Sequence, residues 1–172
     1  TADLLTNSPV RFVGTATSGL DHVDQEFLAS RGITLAAAPG SNANAVVDYV
    51  LAALATMIGG GHLDRAELSV GIIGLGQVGS RLQQRLAALG IATALCDPPL
   101  AAQLQHDQAA ALVSLDEVLR CQVVSLHVPL LQSGAHPTAP LLDYSALAAM
   151  GPDRVLVNTS RGGVVDEDAW LE

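Results

Sequence analysis

The sequence predicts an α/β fold: a doubly wound parallel sheet preceded by the tail of a smaller α/β domain. Three observations carry that expectation. From Ser69 onward, short apolar runs alternate with segments of helical periodicity, the pattern of successive βαβ units. The first run ends in Gly74-Leu75-Gly76-Gln77-Val78-Gly79, a G-x-G-x-x-G placed where a buried strand turns into a helix. The second run ends in Asp97, roughly 20 residues past the glycines, the spacing of a dinucleotide-binding βαβ.

Taken in order, Val10 to Ala16 is a β-like run closed by the polar turn Thr17-Ser18-Gly19. Asp21 to Ser30 carries Val23, Phe27 and Leu28 at helical spacing, Gly32 follows, and Ile33 to Ala38 reads as a second strand. This β-α-β piece is too short to be a domain, and residues 1–40 are expected to be part of one. Pro39-Gly40 breaks the chain, and Ser41-Asn42 offers an N-cap to a helix from Ala43 to Ile58. Its Ala/Val/Leu composition leaves almost no polar face, which predicts burial between layers or domains. Gly59-Gly60-Gly61 then reads as a flexible connection. Residues 41–61 are thus expected to form an interdomain helix and glycine hinge, and residues 62–172 a nucleotide-binding domain truncated at its C-terminus.

Val70, Ile72 and Ile73 supply the strand that enters the glycine turn. Gly74 permits the tight turn, Gly76 lets a pyrophosphate approach the backbone, and Gly79 lets the helix lie close to the strand. The amides of Gln77 and Val78 are expected to face the phosphates, with the positive end of the helix behind them. Val78, Leu82, Leu86 and Leu89 repeat at helical spacing, with Arg81, Gln83, Gln84 and Arg85 on the wet face and Gly90 as a stop. Strand Ile91 to Cys96 then delivers Asp97 to the adenosine ribose hydroxyls. A carboxylate there repels a 2′-phosphate, and Pro98, Pro99 and Leu100 provide no cation, so NAD is favoured over NADP. The competing reading of Asp97 is a solvated turn residue.

Ser114-Leu115-Asp116-Glu117 has the form of a capping box. Strand Cys121 to His127 runs into Val128-Pro129-Leu130 and a loop to Pro140; Asp143 opens a helix through Met150. Val155-Leu156-Val157 forms a fourth strand ending in Asn158-Thr159-Ser160-Arg161-Gly162-Gly163. Ligands bind at the carboxyl ends of such strands, which makes Val128, Pro129, Thr159 and Ser160 further cofactor-binding candidates. Arg161 is the catalytic candidate, because a guanidinium beside flexible glycines can grip a carboxylate with two parallel hydrogen bonds. Its alternative is a salt bridge to Asp166 or Glu167. His127 is read as a structural hydrogen-bonding residue, and His22, His62, His106 and His136 sit in loops without metal spacing.

A net charge of −9 argues against nucleic acid and anionic membrane as partners. The 49% hydrophobic content and mean hydropathy of +0.38 predict a substantial core. All eight positive side chains are arginines, so no residue of this stretch can form a Schiff base. Cys96 and Cys121, each in or beside an apolar run, are expected to be buried thiols in a reducing compartment, with no disulfide or metal site. No apolar run is long enough to span a bilayer. Thr1 in place of Met, and an apparently unfinished helix from Asp168 to Glu172, read as a chain cut at both ends.

Together, Gly74 to Gly79, Asp97, His127-x-Pro129-Leu130 and Asn158-x-Ser160-Arg161-Gly162-x-Val164-Val165-Asp166 resemble the D-isomer-specific 2-hydroxyacid dehydrogenases. Three further motifs resemble one branch of that family, and this likeness implies a phosphorylated substrate. They are Phe12-Val13-Gly14-Thr15-Ala16-Thr17-x-Gly19-x-Asp21-His22-Val23-Asp24, Ala38-Pro39-Gly40-x-Asn42-Ala43 and Cys96-Asp97-Pro98-Pro99. The resemblance implies a Rossmann NAD-binding domain beside a substrate domain, and NAD-dependent oxidation of a phosphorylated 2-hydroxy acid by a cytoplasmic homodimer. It further implies that Arg161 holds the substrate carboxylate, that Thr17 binds substrate, and that the base is a histidine oriented by a glutamate, both C-terminal to Arg161. Three positions depart from the pattern: Val128 stands for a usual threonine, Ser160 for a frequent cysteine and Asp48 for a glutamate. The alternatives are a 3-phosphoglycerate or hydroxypyruvate dehydrogenase and a non-catalytic NAD-sensing corepressor or scaffold.

Overall fold

The computed structural model describes residues 2–17, 19–20, 22–105 and 109–171. Ser18, Asp21, His106 and Glu172, which figure in the readings above, lie outside the described residues. The chain divides into two compact units, Thr1–Ala45 and Val46–Glu172.

In the first unit, strands β1 (Phe12–Thr15) and β2 (Thr34–Ala37) pair in parallel, Phe12 opposite Thr34. Helix α2 (Gln25–Ser30) connects them and follows the short α1 (Ala2–Leu5). Asp24 starts α2 by accepting the Phe27 N–H at 2.9 Å, which moves the helix start past the Asp21 expected from periodicity. Gly32, at φ +64°, ends it, and Ile33 N–H donates back to Leu28 O.

Helix α3 (Ala43–Gly59) crosses the division between Ala45 and Val46. Val47, Val50 and Leu54 pack into the core of the second unit, and so do Leu63 and Leu68 beyond the three glycines. Gly59 to Gly61 therefore lie inside that unit, not at the division of the chain. Asp48, Ala52 and Ala55 are exposed and Tyr49 is 64% exposed, because only the stripe through Val47, Val50 and Leu54 meets the sheet.

The second unit holds a four-stranded parallel sheet in the order β4-β3-β5-β6: β3 Ser69–Ile73, β4 Ala92–Cys96, β5 Val123–Leu126 and β6 Val155–Asn158. Ile73 lies opposite Cys96 on one side and Leu126 on the other, and Leu126 lies opposite Asn158. All four strands thus finish at one edge. From β3 the chain steps outward to β4 and then returns to the other flank for β5. That reversal creates a topological switch point above β3 and β5. Alternation along β3 sends Val70 and Ile72 into one core cluster and Ile73 into the other, so both faces are covered.

The connecting helices are α4 (Gly79–Ala88), α5 (Pro98–Ala101), α6 (Leu115–Val118), α7 (Tyr144–Met150) and α8 (Glu167–Leu171), with a 3₁₀ turn at Gly162–Val164. The Ser114–Glu117 capping box is formed in full, and Asp143 caps α7 through Ala146 N–H. Helix α6 approaches so closely that a Cβ at Gly71 would lie 2.5 Å from Val118 Cγ1. Cys96 and Cys121 are buried and free, and burial raises both thiol pKa values, for Cys96 with the negative charge of Asp97 adding to it.

Candidate functional site

The turn after β3 is held by backbone bonds from both neighbouring strands: Gly74 N–H donates to Cys96 O and His127 N–H to Ile73 O. Gly74 adopts φ +90°, and a Cβ there would lie 2.6 Å from His127 O and 2.9 Å from Val128 Cγ1. At Gly79 a Cβ would overlap the Gly74 carbonyl oxygen, so glycine is what lets α4 begin against the turn. Gly76 differs from both. A Cβ there would meet nothing within 4 Å, leaving its face of the loop open to an incoming group. Among the described residues neither Gln77 N–H nor Val78 N–H donates to a backbone or side-chain acceptor. Two open amides at the start of α4, beside an open glycine, form an anion-receiving end. The Gln77 side chain bonds Arg81 instead of the turn.

Asp97 does more than the sequence indicated. Its Oδ2 accepts Leu75 N–H at 2.8 Å and its Oδ1 accepts Leu100 N–H at 2.9 Å, capping α5. Each carboxylate oxygen keeps a second lone pair able to accept, so Asp97 combines a fixed geometry with residual capacity for ribose hydroxyls.

On the other flank, Ser160 Oγ accepts Val128 N–H at 3.0 Å and ties the end of β6 to that of β5. Val128 turns its side chain onto Gly74, so it floors the turn. Pro129 O accepts the Thr138 hydroxyl, which also receives Leu131 N–H at 2.8 Å and so closes the following loop. His127 bonds Ser125 Oγ through Nε2 and Thr159 Oγ1 through Nδ1, both at 2.9 Å. Since Thr159 donates its own proton to Leu126 O, the consistent arrangement is Nδ1–H donating to Thr159 and Nε2 accepting from Ser125. Burial pushes the His127 pKa down to about 4, so the ring is neutral and both its nitrogens are engaged. Both partners are side-chain hydroxyls.

Arg161 leaves the end of β6 in extended backbone. Asn158 Nδ2 donates to Arg161 O at 2.9 Å, Asn158 Oδ1 accepts Ser160 N–H at 2.9 Å, and Arg161 Nη1 donates to Ser160 O at 3.1 Å. One asparagine thus sets both peptide groups that aim the arginine. Thr17, in the first unit, lies within 2.6 Å of Thr15 Oγ1 and donates to Gly19 O at 3.0 Å, the bonding of a turn-capping hydroxyl.

Ser125, Asn158 and Thr138 were not singled out as site residues from sequence. A serine inside the apolar run Val123 to Leu126 was the available signal for the first, since it is fully buried and needs a partner. Nothing local marks Thr138, whose partners Pro129 and Leu131 lie across the loop.

A glycine turn with open amides at the switch point, an anchored carboxylate on one flank and an arginine on the other define a dinucleotide-binding α/β domain. The residues fit such a cofactor: Gly76 leaves room for the pyrophosphate, Gln77 and Val78 offer donors, and Asp97 faces the same turn. Residues 59–172 match the family model described as "D-isomer specific 2-hydroxyacid dehydrogenase, NAD binding domain". The chain belongs to this family. It is 47% identical over 169 residues to an erythronate-4-phosphate dehydrogenase of Edwardsiella ictaluri, covering 98% of this chain and 44% of that protein. Identity to the enzyme of the same name from Pseudomonas syringae pv. syringae is 48% over 170 residues, with the same coverage. The chain thus spans less than half the length of these curated relatives. Among solved structures, D-lactate dehydrogenase from Aquifex aeolicus complexed with NAD and lactic acid matches with a TM-score of 0.73 at 27% identity, covering 99% of this chain and 56% of that one. NAD-dependent formate dehydrogenase from Staphylococcus aureus in complex with NAD matches with a TM-score of 0.71 at 26% identity, covering 94% and 53%.

Proposed function

We propose that this chain is the cofactor-binding part of an NAD-dependent erythronate-4-phosphate dehydrogenase, oxidising 4-phospho-D-erythronate at its 2-hydroxyl in vitamin B6 synthesis. The observation that carries the reading is the sidedness of the sheet edge. Asp97 ends β4 on one flank of the glycine turn, and Arg161 follows β6 on the other, two strands beyond β3. Asp97 would hold the adenosine ribose of a dinucleotide, Gly76, Gln77 and Val78 would receive its pyrophosphate, and Val128, Pro129, Thr159 and Ser160 would line its nicotinamide side.

Bound NAD supplies the hydride acceptor. Arg161 holds the substrate carboxylate and steadies charge on the C2 oxygen, while Asn158 and Ser160 hold Arg161 in line. The substrate loses the C2 hydrogen with its electron pair and the hydroxyl proton, leaving the 2-oxo acid. We assign that proton to a residue other than His127, because both of its ring nitrogens are bonded and its pKa of about 4 makes it a weak base. Thr17 contributes to the substrate side. In the same reading the protein is a cytoplasmic homodimer, and its charge of −9 turns it away from nucleic acid and anionic membrane.

The test is NAD reduction by the whole protein, with erythronate 4-phosphate, 3-phosphoglycerate and hydroxypyruvate's reduced form, glycerate, compared by kcat/KM. A preference for erythronate 4-phosphate is expected. Preference for another acid reassigns the substrate, and NAD binding without turnover on any of them favours a sensing role.

A further inference from the structure

The charge of Asp97, with no cation among Pro98, Pro99 and Leu100, disfavours a 2′-phosphate. The structure adds a second device. Just past Asp97, the backbone donors from residue 98 to residue 102 are removed or occupied. Pro98 and Pro99 take the first two positions of α5 and carry no N–H. Leu100 N–H is held by Asp97 Oδ1 at 2.9 Å, Ala101 N–H by Asp97 O at 2.9 Å and Ala102 N–H by Pro98 O at 3.1 Å. On the facing turn, Gly74 N–H is held by Cys96 O and Leu75 N–H by Asp97 Oδ2. Among the described residues, the amides of Gly76, Gln77 and Val78, further along the glycine loop, donate to no acceptor. Nor does a cation replace these donors from the adjoining sequence, since no arginine or lysine occurs between Arg85 and Arg120.

A helix start ordinarily presents free N–H groups and the positive end of a dipole to an anion. Here the prolines delete two of those groups and Asp97 covers the third, while the same carboxylate keeps its fixed place beside the turn. We propose that Pro98 and Pro99 are cofactor-specificity residues: they withhold the backbone donors a 2′-phosphate needs, so that selectivity for NAD survives independently of the charge on Asp97. The inference rests on the cofactor reading given above.

The experiment titrates NADH and NADPH into the full chain by nicotinamide fluorescence. Four proteins are compared: the unmodified chain, Asp97→Ser, Asp97→Ser with Pro99→Ala, and Asp97→Ser with both Pro98→Ala and Pro99→Ala. Serine keeps an N-cap acceptor for Leu100 while removing the charge. Asp97→Ser, which removes the charge and releases Leu75 N–H, is by itself expected to leave NADPH weak. Restoring both donors is expected to tighten NADPH roughly ten-fold over Asp97→Ser, with the single-proline replacement between them, as one or two hydrogen bonds to a phosphate predict. NADH affinity should agree within about two-fold between Asp97→Ser and its proline variants, which also shows that they are folded. If the unmodified chain binds NADH and the proline variants gain no NADPH affinity over Asp97→Ser, this inference falls and the cofactor reading stands. An unmodified chain that binds neither nucleotide overturns both.

Discussion

Asp97 Oδ2 accepts the N–H of Leu75 at 2.8 Å across 22 residues of sequence, so the carboxylate ending β4 also holds the glycine turn that ends β3. A residue read as a ligand to ribose is at the same time a brace for the loop that receives the pyrophosphate. Replacing it therefore disturbs two things at once. Asp97→Ala should lower stability by about 2 kcal/mol, combining a lost N-cap with a lost charge-assisted bond. Urea denaturation measures this, and an unchanged midpoint would show that the brace contributes nothing. NADH affinity should fall in the same variant.

The glycines of the loop separate folding from binding. Gly79→Ala sets a methyl into the Gly74 carbonyl and should cost at least about 3 kcal/mol, with poor yield of folded protein. Gly76→Ala meets nothing within 4 Å and should leave the melting temperature almost unchanged while weakening NADH at least about ten-fold. Thermal melts paired with NADH titrations distinguish the two, and a Gly76→Ala chain that binds NADH normally would remove the pyrophosphate from that position.

His127 predicts a dependence of stability on pH. Its folded pKa of about 4 lies below the ordinary value of 6.5, so between these values the unfolded chain binds a proton that the folded chain refuses. Stability should be complete above about pH 6.5 and decline by up to about 3 kcal/mol as pH falls to about 4. The lowered carboxyls of Glu117 and Asp143 act at lower pH, where their contributions are lost through protonation. Denaturation midpoints from about pH 5 to 6.5 thus report mainly on His127. His127→Gln should flatten that slope, and a slope equal to that of the unmodified protein would mean another group is responsible.

Arg161→Lys in the whole protein should keep the positive charge and lose much of the activity. A lysine cannot grip a carboxylate through a planar fork, and one well-placed charged bond is worth about 2 to 4 kcal/mol, or roughly 30- to 1000-fold in kcat/KM. NADH affinity should change little. Comparable turnover in the variant would leave the clamp without support.

What was legible in the sequence was local. The glycine turn, the helix behind it, the capping box at Ser114 and the alternation of strand and helix all follow from residues within one or two turns of each other. The helix Pro98–Ala101 is not legible in the sequence, although Asp97 followed by two prolines is a favourable start, because four residues are too few to show a helical period. Which stripe of the long helix Ala43–Gly59 meets the core of the second unit is not legible in its sequence, since alanine is compatible with either side of a surface and marks neither.

By itself, then, the sequence determined that four strands would carry Gly74, Asp97, His127 and Asn158 at or just beyond their carboxyl ends, because periodicity and turn chemistry act over short distances. Only the tertiary structure decided that the strands lie in the order β4-β3-β5-β6, placing Asp97 and Arg161 on opposite flanks of one glycine turn. It also decided that His127 is locked between Ser125 and Thr159, and that Asp97 reaches Leu75. Those pairings join residues up to 32 positions apart, and they form only once burial of both faces of the sheet has set the strands side by side.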